Sequence, residues 1–255
     1  MPDTPVVALA QTQYGRLKDH PVEVALLPWG ATEAHNYHLP YGTDALETER
    51  IAVESARIAV SRGARVIVLP TVPFGVNTSQ LDIPLTINMN PSTQLAVVRD
   101  IAASLERQKV PKLVILNGHG GNEFRSIIRE LTPNYRLLFA TLNWYTCLDT
   151  SRFFGEAGDH AGEMETSLMM YLAPDLVLPL TEAGDGAARP FAVRAFREGW
   201  AWTPRDWKRV SADTGIGNPH AATSAKGKQY FAAVTERIAG FLIELSATPV
   251  PELYT

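Results

Sequence analysis

Residues 22–44 read VEVALLPWGATEAHNYHLPYGTD, and the fold turns on how this stretch divides. Val22 to Leu27 is a short, nearly continuous apolar run, which suits a strand covered on both faces. The texture then changes. Pro28 and Gly30 end the run, and four side chains competent to bind metal, Glu33, His35, His38 and Asp44, crowd into the next stretch. Three more runs resemble the first: Arg65 to Leu69, Lys112 to Leu116 and Arg136 to Leu142. Between and after them lie helical patterns at Ala45 to Arg62, Ser92 to Gln108, a helix starting near Asn122, Gly162 to Leu172 ahead of Pro174, and Ala221 to Leu245. This alternation predicts a three-layer α/β/α sandwich with a mostly parallel central sheet, built as a single domain over 1–255.

In such sheets ligands gather at the carboxyl ends of the strands. The informative segments fall there: GATEAHNYHLPYGTD after the first strand, NGHGGN after the strand at Lys112 and LNWY at the end of the one from Arg136. Glu33 and His35 are two apart and in an extended segment share one side. Gly42 permits a turn that returns Asp44 to the same place. His119 sits among Gly118, Gly120 and Gly121, whose bare backbone can approach a metal or anion closely. HAGEMET adds His160, Glu163 and Glu165. His20, beside Asp19 and Pro21, reads as a turn residue, and His220 as a surface residue at a helix start.

Carboxylates and imidazoles without thiolate suit hydrolytic Zn²⁺, Mn²⁺ or Fe²⁺ and are wrong for a structural zinc knot. The chain has one cysteine, Cys147, so thiolate sites and intramolecular disulfides are both excluded. Five or more ligands imply two divalent ions, one bridging carboxylate, and a hydroxide between the ions as nucleophile. With 23 basic and 27 acidic residues, net −4, and no Lys/Arg cluster, electrostatics gives no support to a nucleic-acid or anionic-membrane partner. The longest apolar stretches are too short to span a bilayer. Asp3 stands where a secretory signal wants basic residues, and the expected compartment is the cytoplasm.

Taken together, GATEAHNYHLPYGTD, NGHGGN and HAGEMETSLMMYLAPDLV resemble the creatininase (creatinine amidohydrolase) family in order and spacing, over about residues 22–180. The resemblance implies a binuclear divalent-metal site, hydrolysis of a C–N bond in a small polar molecule, and a homo-oligomer, frequently a hexamer. It assigns Glu33, His35 and Asp44 as ligands from the first motif, with Asp44 bridging, and His119 from the second. Creatininases proper resemble NGHYEN at the second motif and use its Glu; this chain has Gly121 there and is similar instead to the NGHGGN branch. Glu163 is the expected replacement ligand. On a continuous helix it lies about 60° from His160, whereas Glu165 is rotated about 200° from Glu163, so Glu165 is expected to support the site or touch a neighbouring subunit. His38 is expected to support the ligands, and His160 to protonate the leaving atom.

Asn77, Thr78, Ser79 and Gln80 stand where family members carry a stretch resembling SPEHLGFPGTI. They make a neutral hydrogen-bonding lining, here expected to involve Asn77, Ser79 and Gln80. Trp144 and Tyr145 are expected to wall the pocket. Three functions remain open: hydrolysis of a linear or cyclic amide, hydrolytic ring opening of a keto-cyclitol or sugar-lactone-like substrate, and a non-catalytic metal-binding sensor or assembly subunit. Residues 181–220, with Arg189, Arg194, Arg197, Trp200 and Trp202, either close over a neighbouring site or cement an interface.

Overall fold

A computed structural model describes residues 7–254; Asp3, on which the reading of the chain start rests, lies outside them. Four parallel strands form the central sheet: β1 (Val24–Trp29), β2 (Val66–Val68), β3 (Lys112–Asn117) and β4 (Leu138–Asn143), in the order β2-β1-β3-β4. All six residues of β1 and of β3 are buried, as continuous apolar runs require when both faces are covered. β1 runs two residues beyond the expected end, through Pro28. On the β2 side the regular ladder ends at Leu26↔Val68 and Pro28 takes part only as an acceptor, from Val72 N at the isolated Trp29↔Val72 bridge, so its missing N–H costs no ladder bond.

The alternate side chains of the strands supply two cores. Val24, Leu26, Val66, Val68, Val114 and Leu116 pack against the helices Thr43–Ser61 and Ser224–Ala247, with Leu168 from Glu163–Leu172. Ala25, Leu27, Trp29, Ile67, Leu113 and Ile115 pack against Pro91–Arg107 and Phe124–Leu131. These are the three layers expected. Each long helix starts and ends within three residues of its expected bounds, and the differences lie at caps, where Gly42 and Asn90 precede the first turn and Thr223 accepts from Lys226 N.

The direction in which successive strands are added to the sheet reverses at β1. The connection from β1 leads to β2 on one side, while β3 lies on the other, so the β1/β3 crevice is the topological switch point where α/β sheets bind ligands. Trp29 and Asn117 are in register at its edge, and Asn117 pairs with Asn143. Beyond β4, outside the helices Glu163–Leu172 and Ser224–Ala247, the chain is mostly short turns and loops, with an antiparallel pair of short strands, β5 (Gly158–His160) and β6 (Ile216–Gly217). No helix among the described residues is long and apolar enough to cross a membrane.

Candidate metal centre and active site

The loop after β1 folds back on itself. Glu33 N donates to Tyr41 O at 3.1 Å and Leu39 N to His35 O at 3.3 Å, which returns Asp44 to the crevice on the first turn of the Thr43–Ser61 helix. The loop after β3 is organised by strand-end asparagines: Asn117 Nδ2 donates to His119 O and to Asn143 Oδ1, and Asn122 Nδ2 donates to Asn117 Oδ1. Glu33, His35, Asp44, His119 and His160 are thereby brought together with at most 6% exposure.

His35 Nε2 lies 2.9 Å from Asp44 Oδ1, and His119 Nδ1 lies 2.9 Å from Glu33 Oε1 and 3.0 Å from Asp44 Oδ2. His160 Nδ1 is 3.7 Å from Glu33 Oε1. The opposite nitrogen of every ring meets a backbone carbonyl: His35 Nδ1 with Glu33 O at 3.1 Å, His119 Nε2 with Val76 O at 3.1 Å and His160 Nε2 with Ala34 O at 2.8 Å. A carbonyl only accepts, so those nitrogens carry hydrogen. In a neutral ring the nitrogen facing the carboxylates is then a lone pair. Lone pairs and carboxylate oxygens meeting at 3 Å need positive charge between them.

The protonation equilibria express the same demand. Burial opposes charge on His35, but Asp44, with Glu165 and Glu33 beyond it, raises its pKa to about 10. Burial likewise opposes charge on His119, yet Glu33 and Asp44 hold it well above the usual imidazole range. Asp44 is held well below the carboxylate range: burial works against its ionisation, and His35 and His119 overcome it. A cation can replace those protons. Three overlapping groups have metal-ligand spacing: Glu33, His35 and His160; Glu33, Asp44 and His119; and His35, Asp44 and Glu165.

The third motif corrects the expectation for its two glutamates. His160 is on β5, not on the helix. Ala161 follows in a left-handed conformation, φ 51°, and Gly162 caps the helix that begins at Glu163, so helical-wheel angles do not extend back to His160. Glu165 accepts from Ala161 N and its Oε1 lies 4.0 Å from His35 Nε2. Glu163 turns away. Its Oε2 accepts from Gly155 N at 2.8 Å and Glu156 N at 2.7 Å, and its Oε1 pairs with Lys226 Nζ. The carboxylate beside the imidazoles is that of Glu165.

Gly121 has a packing reason. A Cβ there would stand 2.2 Å from Val76 O and 2.5 Å from His119 Nε2, against the very carbonyl that meets the His119 ring.

Other expectations divide. Asn77, Thr78, Ser79 and Gln80 all line the cavity, as expected. Gln80 Nε2 donates to Glu33 Oε2, and Asn77 Nδ2 donates to Thr32 O and Ile87 O, so these two buried side chains also tie the loops together. Trp144 is fully buried, its Nε1 donating to Thr48 Oγ1 at 3.1 Å, so it belongs to the core rather than the pocket wall. Tyr145 does line the cavity; burial, then Asp44 and Glu165, raise its phenol to about 12. His38 hydrogen-bonds Thr166 Oγ1 through Nε2 at 2.9 Å, beside Glu165, and burial, then His220 and His35, lower it to about 4. It is a neutral prop behind the cluster.

The cavity above the cluster holds about 690 Å³. Its far wall is the 191–207 excursion, with Phe191, Phe196, Trp202, Arg205 and Trp207, so this region closes over the site of its own chain. Trp207 meets the His160 ring edge-on at 5.2 Å, and Arg205 lies over Trp207 at 5.7 Å. The sequence reading missed Arg205 and Trp207 because only tertiary contact with His160 marks them out.

A carboxylate and imidazole cluster at the switch point of a doubly covered parallel sheet, beneath a cavity of this size, defines an α/β protein with an enzyme-like cation site. The profile of the Creatininase family, described as creatinine amidohydrolase, matches residues 9–242; the chain belongs to that family and is a hydrolase. A crystal structure of a Bacteroides fragilis NCTC 9343 protein, provisionally named a creatinine amidohydrolase, is 44% identical over 98% of both chains, with a TM-score of 0.92. The mycofactocin precursor peptide peptidase of Mycobacterium ulcerans strain Agy99 is 28% identical over 224 residues, 83% of this chain and 81% of that one. The creatinine amidohydrolase of Pseudomonas putida is 29% identical over 177 residues, 60% of this chain and 66% of that one.

Proposed function

We propose that the protein is a divalent-metal-dependent hydrolase of C–N bonds in small polar amides, with Glu33, His35, Asp44, His119 and Glu165 as the residues that would hold the cations. The observation that carries the reading is the meeting of two imidazole lone pairs with the oxygens of two buried carboxylates. Bound divalent cations would lower the pKa of water to give a nucleophile and polarise the scissile carbonyl. The protein's own part is to pre-orient: backbone carbonyls set the His tautomers, and Gln80 fixes Glu33. His160 presents Nδ1 beside Glu33 while Nε2 donates to Ala34 O, so Nδ1, a lone pair in the neutral ring, is the atom that would take up the proton released by the attacking water and then hand it to the leaving nitrogen. Trp207, also on the cavity wall, packs edge-on against that ring and helps fix its orientation.

Relatives named for peptidase and amidohydrolase activities support the amide reading. The hydroxyls of Thr78 and Ser79 across from an aromatic wall favour a second one, in which the same site opens a keto-cyclitol or sugar-lactone-like ring. Family membership weighs against the non-catalytic alternative. The two ions expected per subunit are Zn²⁺, Mn²⁺ or Fe²⁺, in a cytoplasmic homo-oligomer, with a hexamer as the family precedent. Trp200 and Trp202, 75% and 84% exposed, are the side chains such an assembly would cover.

The test is a hydrolysis screen of amides, short peptides, lactams and oxidised cyclitols with Zn²⁺- or Mn²⁺-reconstituted protein, with Asp44→Ala as blank. Turnover of an amide or ring substrate that disappears in the blank is expected. Equal turnover with and without Asp44 would overturn the proposal.

A further inference from the structure

Glu163 is left without a part in that chemistry, although its side chain is fully buried at the edge of the cavity. Every polar contact it makes is with the framework of the site. One oxygen gathers two successive backbone amides, Gly155 and Glu156, and the other meets Lys226, whose Nζ also donates to Ala221 O at 2.9 Å. Three separate pieces of chain converge on one carboxylate: the loop before β5, the first turn of the Glu163–Leu172 helix, and the start of the Ser224–Ala247 helix. The loop is functional ground. Phe154, Glu156, Ala157, Gly158 and Asp159 line the cavity, and the same segment runs directly into His160.

We propose that Glu163 is a positioning residue: paired with Lys226 and accepting from the Gly155 and Glu156 amides, it sets the cavity wall and the strand that carries His160, and holds no metal itself. The inference rests on the hydrolase reading for its effect on turnover, while its structural part stands independently. Two successive amides on one charged acceptor form a short anion-binding nest, and charge-assisted bonds of this kind are stronger than neutral ones. Lys226 neutralises the carboxylate, which would otherwise be buried unpaired. Glu165, two residues on, points to the imidazoles, so opposite sides of one helical turn divide two tasks between two identical side chains.

The variants separate these tasks. Glu163→Gln keeps an oxygen for the two amides and breaks only the ion pair; Lys226→Met breaks the pair from the other side; Glu163→Ala removes everything. Three readouts are taken on the full chain: bound Mn²⁺ after reconstitution and desalting, amide exchange over residues 154–160, and kcat and KM on whichever substrate the screen yields. Glu163→Ala should speed exchange of the Gly155 and Glu156 amides about tenfold or more while keeping the wild-type Mn²⁺ stoichiometry, and Glu165→Gln should do the reverse. Glu163→Gln and Lys226→Met should each lower kcat/KM by a few-fold, and the double variant should be no worse than either single one. Loss of Mn²⁺ from Glu163→Gln, or unchanged exchange in Glu163→Ala, overturns the proposal. If Glu163→Ala does not fold, Glu163→Gln and Lys226→Met decide it: both should keep the wild-type Mn²⁺ stoichiometry and speed exchange over residues 154–160 by a few-fold, and loss of Mn²⁺ or unchanged exchange in both overturns the proposal. A wild-type protein without hydrolase activity would remove the proposed function and leave the metal and exchange predictions to be judged as they stand.

Discussion

The two walls of the cavity are built differently. The wall at the ends of β1 and β3 is made of short loops whose side chains are buried, in register and tied to backbone carbonyls. The wall made by residues 154–160 and 191–207 is irregular chain, held by single anchors such as the Glu163–Lys226 pair and the Trp207–His160 contact. The first wall concentrates carboxylate charge that protons on His35 and His119, or cations in their place, must balance; the second sets the shape of the cavity and, on the proposed function, carries the proton-transferring His160. The contrast teaches that the two walls do separable work: one balances buried charge, the other sets the shape of the cavity.

Variants on the first wall should therefore act through metal, and those on the second through turnover. Asp44→Ala should abolish activity and weaken metal binding by more than the roughly 10–100-fold typical of residues that only support ligands. Anomalous fluorescence or elemental analysis of the purified variant checks it. His160→Ala should keep its metal and lose about 10²–10⁴-fold in turnover, measured by steady-state kinetics; a parallel loss of metal would move His160 into the ligand set, where its spacing to Glu33 and His35 would also admit it. Gln80→Ala should cost about 10–100-fold in metal affinity, seen in competition with a chelating dye.

The pH dependence follows from the raised imidazoles. In the metal-free protein the His35 proton, whose folded pKa is about 10 against 6.5, adds stability that is fully present below the lower value and is lost as pH rises through the upper one. His119 acts in the same direction. A cation must displace these protons, so metal affinity should rise between about pH 7 and 10, by up to tenfold per unit for each proton released. Calorimetry in buffers of different ionisation enthalpy counts the protons. Least affected should be Ser79→Ala and Thr78→Val, which change KM by about fivefold or less, as loss of one half-exposed hydrogen bond implies.

The same contrast explains what could be read from the chain alone. The β1, β2 and β3 runs and the helices behind them were legible because burial on both faces leaves continuous apolar strings, the half-buried edge strand β4 was legible from its apolar run alone, and parallel topology then delivers Glu33, His35, Asp44 and His119 to one crevice. The choice between Glu163 and Glu165 was not legible. It depends on the left-handed Ala161 and on Lys226, some sixty residues away, and spacing carries neither. Trp144 and Trp207 show the same limit: an aromatic beside a strand end went into the core, and one in a featureless loop reached the site.

The central claim is that Glu33, His35, Asp44, His119 and Glu165 together hold divalent cations. Crystals of the full chain soaked in Mn²⁺ and measured for anomalous scattering test it most directly. The account predicts strong peaks within coordination distance of Asp44 and Glu165, with Glu163 still bound to Lys226. An empty crevice at saturating Mn²⁺, or a peak coordinated by Glu163 in place of Glu165, would contradict it.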